Sequence, residues 1–237
     1  MSEKMNRVLI FDVETTGLLP KKKVPLDECP YILQWSFVLY NLNTCQIEQK
    51  YDKYINVFGQ DSGKEIQISP FITELTGITE EMCMAGVSIL DAMDAFYHMY
   101  MMADCIVAHN MQFDTAMIEI EICRNRERIE CEMPYCLRIL NSEYEKARGV
   151  YRYCTMMHGI QICNIPHVET RPNAKIRLKW PKLAELYAKL FDSPPKNMHN
   201  SLVDVLACLR CLLKMKFNTE ISDPRFELWL ANVVVCV

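Results

Sequence analysis

Residues 7–17 read RVLIFDVETTG, an apolar run that ends in two carboxylates and a sharp turn. Val8, Leu9, Ile10 and Phe11 follow one another without polar alternation. That is the pattern of a central strand buried on both faces, and it predicts a sheet with helices packed on either side. Asp12 and Glu14 stand at i and i+2, so on a strand both side chains leave by the same face and can converge on one cation. Thr15, Thr16 and Gly17 then turn the chain with little bulk and with backbone N–H groups open to a ligand. Taken alone, an Asp-x-Glu pair is a weak signal, because the end of a strand is often only a solvated loop start.

The chain on either side supports a sheet. Residues 31–41 (YILQWSFVLYN) and 46–57 read as two further strands, with NLNT as their hairpin turn. A loop to Pro70 precedes a helical stretch from about 71 to 103, broken near the TGIT turn. Residues 103–110 (ADCIVAHN) form another apolar strand, and the following helix carries Phe113, Met117 and Ile120 on one stripe. Residues 126–150 look helical and solvated, and 160–181 lack periodicity and read as loop. Two helices close the pattern: PKLAELYAKLF, with Pro181 in its first turn, and SLVDVLACLRCLLKMK. A meander followed by strand–helix alternation predicts an α/β fold, with a mixed sheet of about five strands and helices on both faces.

Two more acidic pieces lie far along the chain. His109-Asn110 and Phe113-Asp114 sit where a strand hands over to a helix, a common place for α/β sites. Asp114 is also what a helix first turn prefers for its dipole. In HNSLVD, five helical residues would leave His199 and Asp204 about 140° apart, so both can face one site only if His199 precedes the helix. Ser201-x-x-Asp204 also fits a variant capping box, in which Asp204 would merely cap its helix.

Together FDVETTG, VAHNMQFD and HNSLVD resemble the three exonuclease motifs of the DEDDh (DnaQ-like) superfamily, in their order and approximate separation. PYILQWSFVLYN, ELTGITEEM and KWPKLAELYAKLF resemble further segments of that family, so the likeness spans about residues 6–215 of a single 237-residue domain, with 216–237 as a tail. It implies a ribonuclease H-like fold and a 3′→5′ exonuclease acting on DNA or RNA ends. It further implies that Asp12, Glu14, Asp114 and Asp204 hold two Mg²⁺ or Mn²⁺ ions and that His199 is the general base. YCTMM at 153–157 departs from an Asp-Thr pair in many relatives. The rival reading is a catalytically silent nucleic-acid- or polymerase-binding module on the same fold.

The chemistry suits those residue types. Each pair of carboxylates about 4 Å apart at an effective dielectric near 20 costs roughly 4 kcal/mol. None of the three motifs contains arginine or lysine to offset this. Oxygen-only ligands select Mg²⁺ or Mn²⁺, and imidazole ordinarily titrates where a base is useful. For substrate contact, Thr15, Thr16, Gly17, Leu18, His109, Asn110 and Phe113 are the candidates, with Phe113 as either a stacking surface or core. Arg171, Lys175, Arg177, Lys179 and Lys182 form a run without an acid between them, and Lys21-Lys22-Lys23 is a weaker basic candidate.

Composition bounds the remainder. A net charge of −4 argues against a protein that coats nucleic acid nonspecifically. The 12 cysteines are scattered through apolar stretches and read as reduced core residues, and the Cys154, His158, Cys163, His167 series lacks a CxxC and reads as carrying no structural zinc. No apolar run reaches the roughly 18 residues of a membrane span, nor does the N-terminus resemble a signal peptide. The expectation is a soluble intracellular protein whose partner is a nucleic acid 3′ end, with a polymerase or a second copy as further partners and no membrane.

Overall fold

The computed structural model describes residues 5–59, 66–167, 177–193 and 197–231. β1 (Arg7–Thr15) lies at the centre of a five-stranded sheet of order β3-β2-β1-β4-β5. It pairs antiparallel with β2 (Ile32–Asn41), and β2 pairs antiparallel with β3 (Gln46–Tyr54). On its other side β1 pairs parallel with β4 (Cys105–Ala108), and β4 with β5 (Tyr151–Cys154).

Parallel neighbours need crossovers, and helices supply them. Three run between β3 and β4: α1 (Pro70–Thr76), α2 (Glu80–Met84) and α3 (Ile89–Met102). Three more connect β4 to β5: α4 (Met111–Arg124), α5 (Arg126–Glu132) and α6 (Ser142–Arg148). After β5 come α7 (Thr155–Cys163), a small ribbon of β6 (Pro166–His167) and β7 (Arg177–Leu178), and α8 (Leu183–Phe191). α9 (Ser201–Leu212) continues as a π turn through Phe217, and α10 (Arg225–Ala231) closes the described chain.

Strand alternation divides β1 between two cores. Leu9, Phe11 and Val13 pack with Trp35, Phe37 and Phe96 beneath α3 and α4. Val8 and Ile10 pack with Val38, Val107 and Leu206 beneath α8 and α9. The predicted helices on both faces are therefore present. Asp12 and Glu14 continue the even-numbered series, so their backbone register directs them to the α9 side.

Several expected boundaries shift for local reasons. The 71–103 stretch breaks twice. Gly77 ends α1 at φ 76°, as the TGIT turn requires. The second break is at Gly86, where a Cβ would stand 2.5 Å from the Tyr54 carbonyl oxygen. Val87 there joins the sheet through a bridge to Ile55. Residue 160 lies inside α7, so the 160–181 stretch is not all loop. Pro181 stands before the Lys182 N-cap of α8 rather than in its first turn. In the basic run, Arg171 and Lys175 lie outside the described residues, as do residues 232–237 of the tail. The described part of the tail packs on the domain, with Phe226 buried in the α9-side core. Among the described residues no helix is long and apolar enough to cross a membrane.

Candidate active site

The carboxyl ends of β1 and β4 and the N-terminus of α9 meet at one end of the sheet. Asn200 caps α9, its Oδ1 accepting from the N–H groups of Leu202 and Val203. Asp204 therefore does not cap the helix, and the capping-box alternative drops out. Its Oδ1 is buried with no hydrogen-bond partner. His199 precedes the helix, as the angular argument requires, with its backbone in the left-handed region at φ 69°. That conformation is uncommon for a residue with a Cβ and marks a constrained position. Ligand atoms of Glu14, His199 and Asp204 all lie within 4.8 Å of one another.

Asp114 reaches the site from the other core. Asn110 turns the chain at φ 64° between β4 and α4, which sets Asp114 in the helix first turn. The residue is only 2% exposed, and one carboxylate oxygen accepts from the Val13 N–H at 3.2 Å. Since Val13 lies between Asp12 and Glu14, that bond ties the second motif to the first.

The cluster is electrostatically unsatisfied. Burial raises the Asp12 carboxyl to about 7. Burial, then the charges of Asp12 and Asp204, raises Glu14 to about 10. Asp114 and Asp204 are pushed well above the usual carboxylate range, first by burial and then by Asp12. Asp12 thus acts on each of the other three. Among the described residues no arginine or lysine pairs with any of them. An orphaned carboxylate oxygen and four acids without a cation form a donor set that fits hard divalent ions.

The candidate substrate residues fall into three groups. Thr15 Oγ1 donates to the Gly17 carbonyl at 2.7 Å, and Thr16 Oγ1 accepts from the Tyr31 N–H at 2.9 Å, so both hydroxyls fix the turn. That turn presents Leu18, 86% exposed, beside a cavity of about 310 Å³ also lined by Tyr31, Ile66 and Gln67. Asn110 is exposed at the head of α4, and Phe113 packs half-buried against the α3-side core. His109 is held on both sides. Nε2 lies 3.0 Å from the Pro181 carbonyl, which only accepts, so Nδ1 accepts from the Thr155 hydroxyl at 3.0 Å. Burial lowers its pKa to about 4, keeping the ring neutral.

The sequence reading missed four supports of the site. Gln34 Oε1 accepts from the Ser201 N–H at 3.2 Å, and its Nε2 donates to Asp52 at 2.8 Å. Ser201 Oγ donates to the Asp12 carbonyl at 2.6 Å. Thr155 holds His109, and Arg124, paired with buried Glu121, donates to the carbonyls of Leu26, Cys29 and Pro30 beside the cavity. Gln34 left a readable trace, a single amide inside the buried strand YILQWSFVLY; the others left none. His158, from the discounted zinc series, donates from Nδ1 to the Cys154 carbonyl and stacks on Tyr153 at 4.0 Å.

A mixed sheet with clustered carboxylates at the ends of its central strands defines an α/β protein with an acidic centre whose donor set fits divalent ions. Residues 9–212 match the RNase T exonuclease family model, and the chain belongs to that exonuclease family, within the DnaQ-like DEDD superfamily. A PolC-type DNA polymerase III of Caldanaerobacter subterraneus subsp. tengcongensis is 24% identical over 184 residues, which cover 78% of this chain and 11% of the polymerase. Exonuclease I of E. coli in complex with a dT13 oligonucleotide superposes with a TM-score of 0.56 at 14% identity, over 90% of this chain and 42% of that one. A product-bound exonuclease I gives a TM-score of 0.56 at 15% identity, over 91% and 45%. The chain thus spans under half the length of each of these proteins. The likeness to exonuclease I establishes the ribonuclease H-like fold.

Proposed function

We propose that this chain removes nucleotides from the 3′ ends of DNA or RNA by phosphodiester hydrolysis at two divalent metal ions. The observation that carries the reading is the approach of Glu14, His199 and Asp204 to within 4.8 Å beside an Asp204 oxygen with no partner. Asp12, Glu14, Asp114 and Asp204 would hold Mg²⁺ or Mn²⁺, which supplies charge neutralisation at the attacking and leaving oxygens. His199, exposed on its loop, accepts the proton of the attacking water. Leu18, projecting from a turn braced by Thr15 and Thr16, presses on the terminal base. Residues 6–215 act as one exonuclease domain with 216–237 as its tail. The polymerase match supports a setting in which the domain works beside a polymerase.

The test is metal-dependent nuclease assay of wild type and Asp12→Ala on matched DNA and RNA oligonucleotides. Activity in Mg²⁺ or Mn²⁺ that EDTA abolishes, and that folded Asp12→Ala lacks, is the expected result. Full activity in excess EDTA, or in Asp12→Ala, would overturn the reading.

A further inference from the structure

Trp180 is 62% exposed, yet the backbone on both sides of it is fixed. Before it, the Lys179 N–H donates to the Ile165 carbonyl at 3.0 Å, and Lys179 Nζ pairs with Glu185 at 2.6 Å. After it, buried Pro181 receives the bond from His109 Nε2. Gly159 of α7 lies beside Pro181, since a Cβ there would come to 3.4 Å from its ring. A large aromatic side chain held out into water on a clamped backbone gains nothing for folding. It is the kind of group found where one face awaits a flat apolar partner.

Its position says which partner. His109 directly follows β4, so its bond to Pro181 sets Trp180 at the carboxyl end of the parallel strands. Asp12, Glu14 and Asp114 converge at that same end. Arg177 and Lys182, both exposed, stand on either side of Trp180 in sequence, on a chain whose net charge is −4. An exposed aromatic with cations on either side of it in sequence, at the strand end that carries the acids, suits a base on a phosphate backbone, since every base has a π-face.

We infer that Trp180 is a stacking contact for a base of the single-stranded substrate upstream of the scissile end, with Arg177 and Lys182 on the adjoining phosphates. The inference rests on the proposed exonuclease reading. On it, the His109–Pro181 bond aligns this contact with the second acidic motif, giving His109 a positioning role.

The test compares wild type, Trp180→Phe and Trp180→Ala on two substrates in Mg²⁺: a deoxythymidine 12-mer and a p-nitrophenyl ester of thymidine monophosphate. The ester is too short to reach the indole. Trp180→Ala should raise KM for the 12-mer by roughly 5- to 100-fold, the range of one lost base–aromatic stack, with Trp180→Phe in between. Both variants should keep wild-type kinetics on the ester. In metal-free binding titrations the 12-mer should quench wild-type tryptophan emission, and Trp180→Phe should lose most of that quenching. Trp180→Ala matching wild type on the 12-mer would overturn the contact alone. A wild type that cleaves neither substrate would overturn the exonuclease reading and the contact with it.

Discussion

His199 is the residue whose role the geometry leaves most open to measurement, because its ring stands as close to Glu14 and Asp204 as a ligand would. If it is the base, His199→Ala should lose about 10²–10⁴-fold in rate at neutral pH and recover partly at high pH, where hydroxide needs no base. Its Mg²⁺ affinity, read by calorimetry, should stay near wild type because the four carboxylates remain. A variant that loses metal binding instead would make His199 a ligand. Gln34 acts one step further back, tying the start of α9 to Asp52 on β3. Gln34→Glu sets two carboxylates against each other and should cut kcat more than tenfold with little change in KM. Adding Asp52→Asn restores a donor opposite the new acceptor, and should recover much of kcat. A double variant no better than the single one would contradict this positioning role.

At the scale of elements, the Asp223–Arg225 ion pair docks the described tail on β3 beside buried Phe226. Asp223 accepts from the Ile47 N–H at 3.1 Å and from Arg225, while Arg225 Nη2 donates to the Ile47 carbonyl at 2.8 Å. The pair thus occupies both backbone groups of Ile47 on edge strand β3. Arg225 holds the Asp223 carboxyl down to about 2, so its contribution is complete above about pH 4 and is lost as pH falls toward 2. Asp223→Asn should cost about 1–2 kcal/mol, lowering Tm by a few degrees at neutral pH but not at pH 2. Equal effects at both pH values would contradict the assignment. The same scale shows what was legible in the sequence. β1, β2 and β4 were readable because residues buried on both faces leave unbroken apolar runs, and the acids stand out at the ends of those runs. β5 was not, since its four residues pass directly into α7 without a turn signal. His109 looked like a substrate group because nothing local reveals that Thr155 and Pro181, 46 and 72 residues later, take both its nitrogens.

For the whole molecule, the acidic centre opposes folding when no cation is bound. A carboxyl whose folded pKa is raised leaves stability intact below its unfolded value and removes it as pH climbs through the folded value. For Asp12 the window runs from about 4 to about 7, and for Glu14 it extends to about 10. Metal-free protein should therefore melt lower as pH rises across that range, and Mg²⁺ at 100 times its Kd should restore about 2.7 kcal/mol. Asp114→Asn, which can still accept from Val13, should melt higher than metal-free wild type at pH 8 and respond less to Mg²⁺. A lower metal-free Tm would show that the acids do not repel as their burial implies. The proposed work of these acids is hydrolysis at the 3′ end of a strand, and digestion of one single-stranded oligonucleotide labelled at either end tests that most directly. With Mg²⁺, the 3′-labelled strand should release its label as a mononucleotide from the earliest times, while the 5′-labelled strand shortens through a ladder. Early release of a 5′-labelled mononucleotide, or internal cuts in a circular strand, would contradict the account.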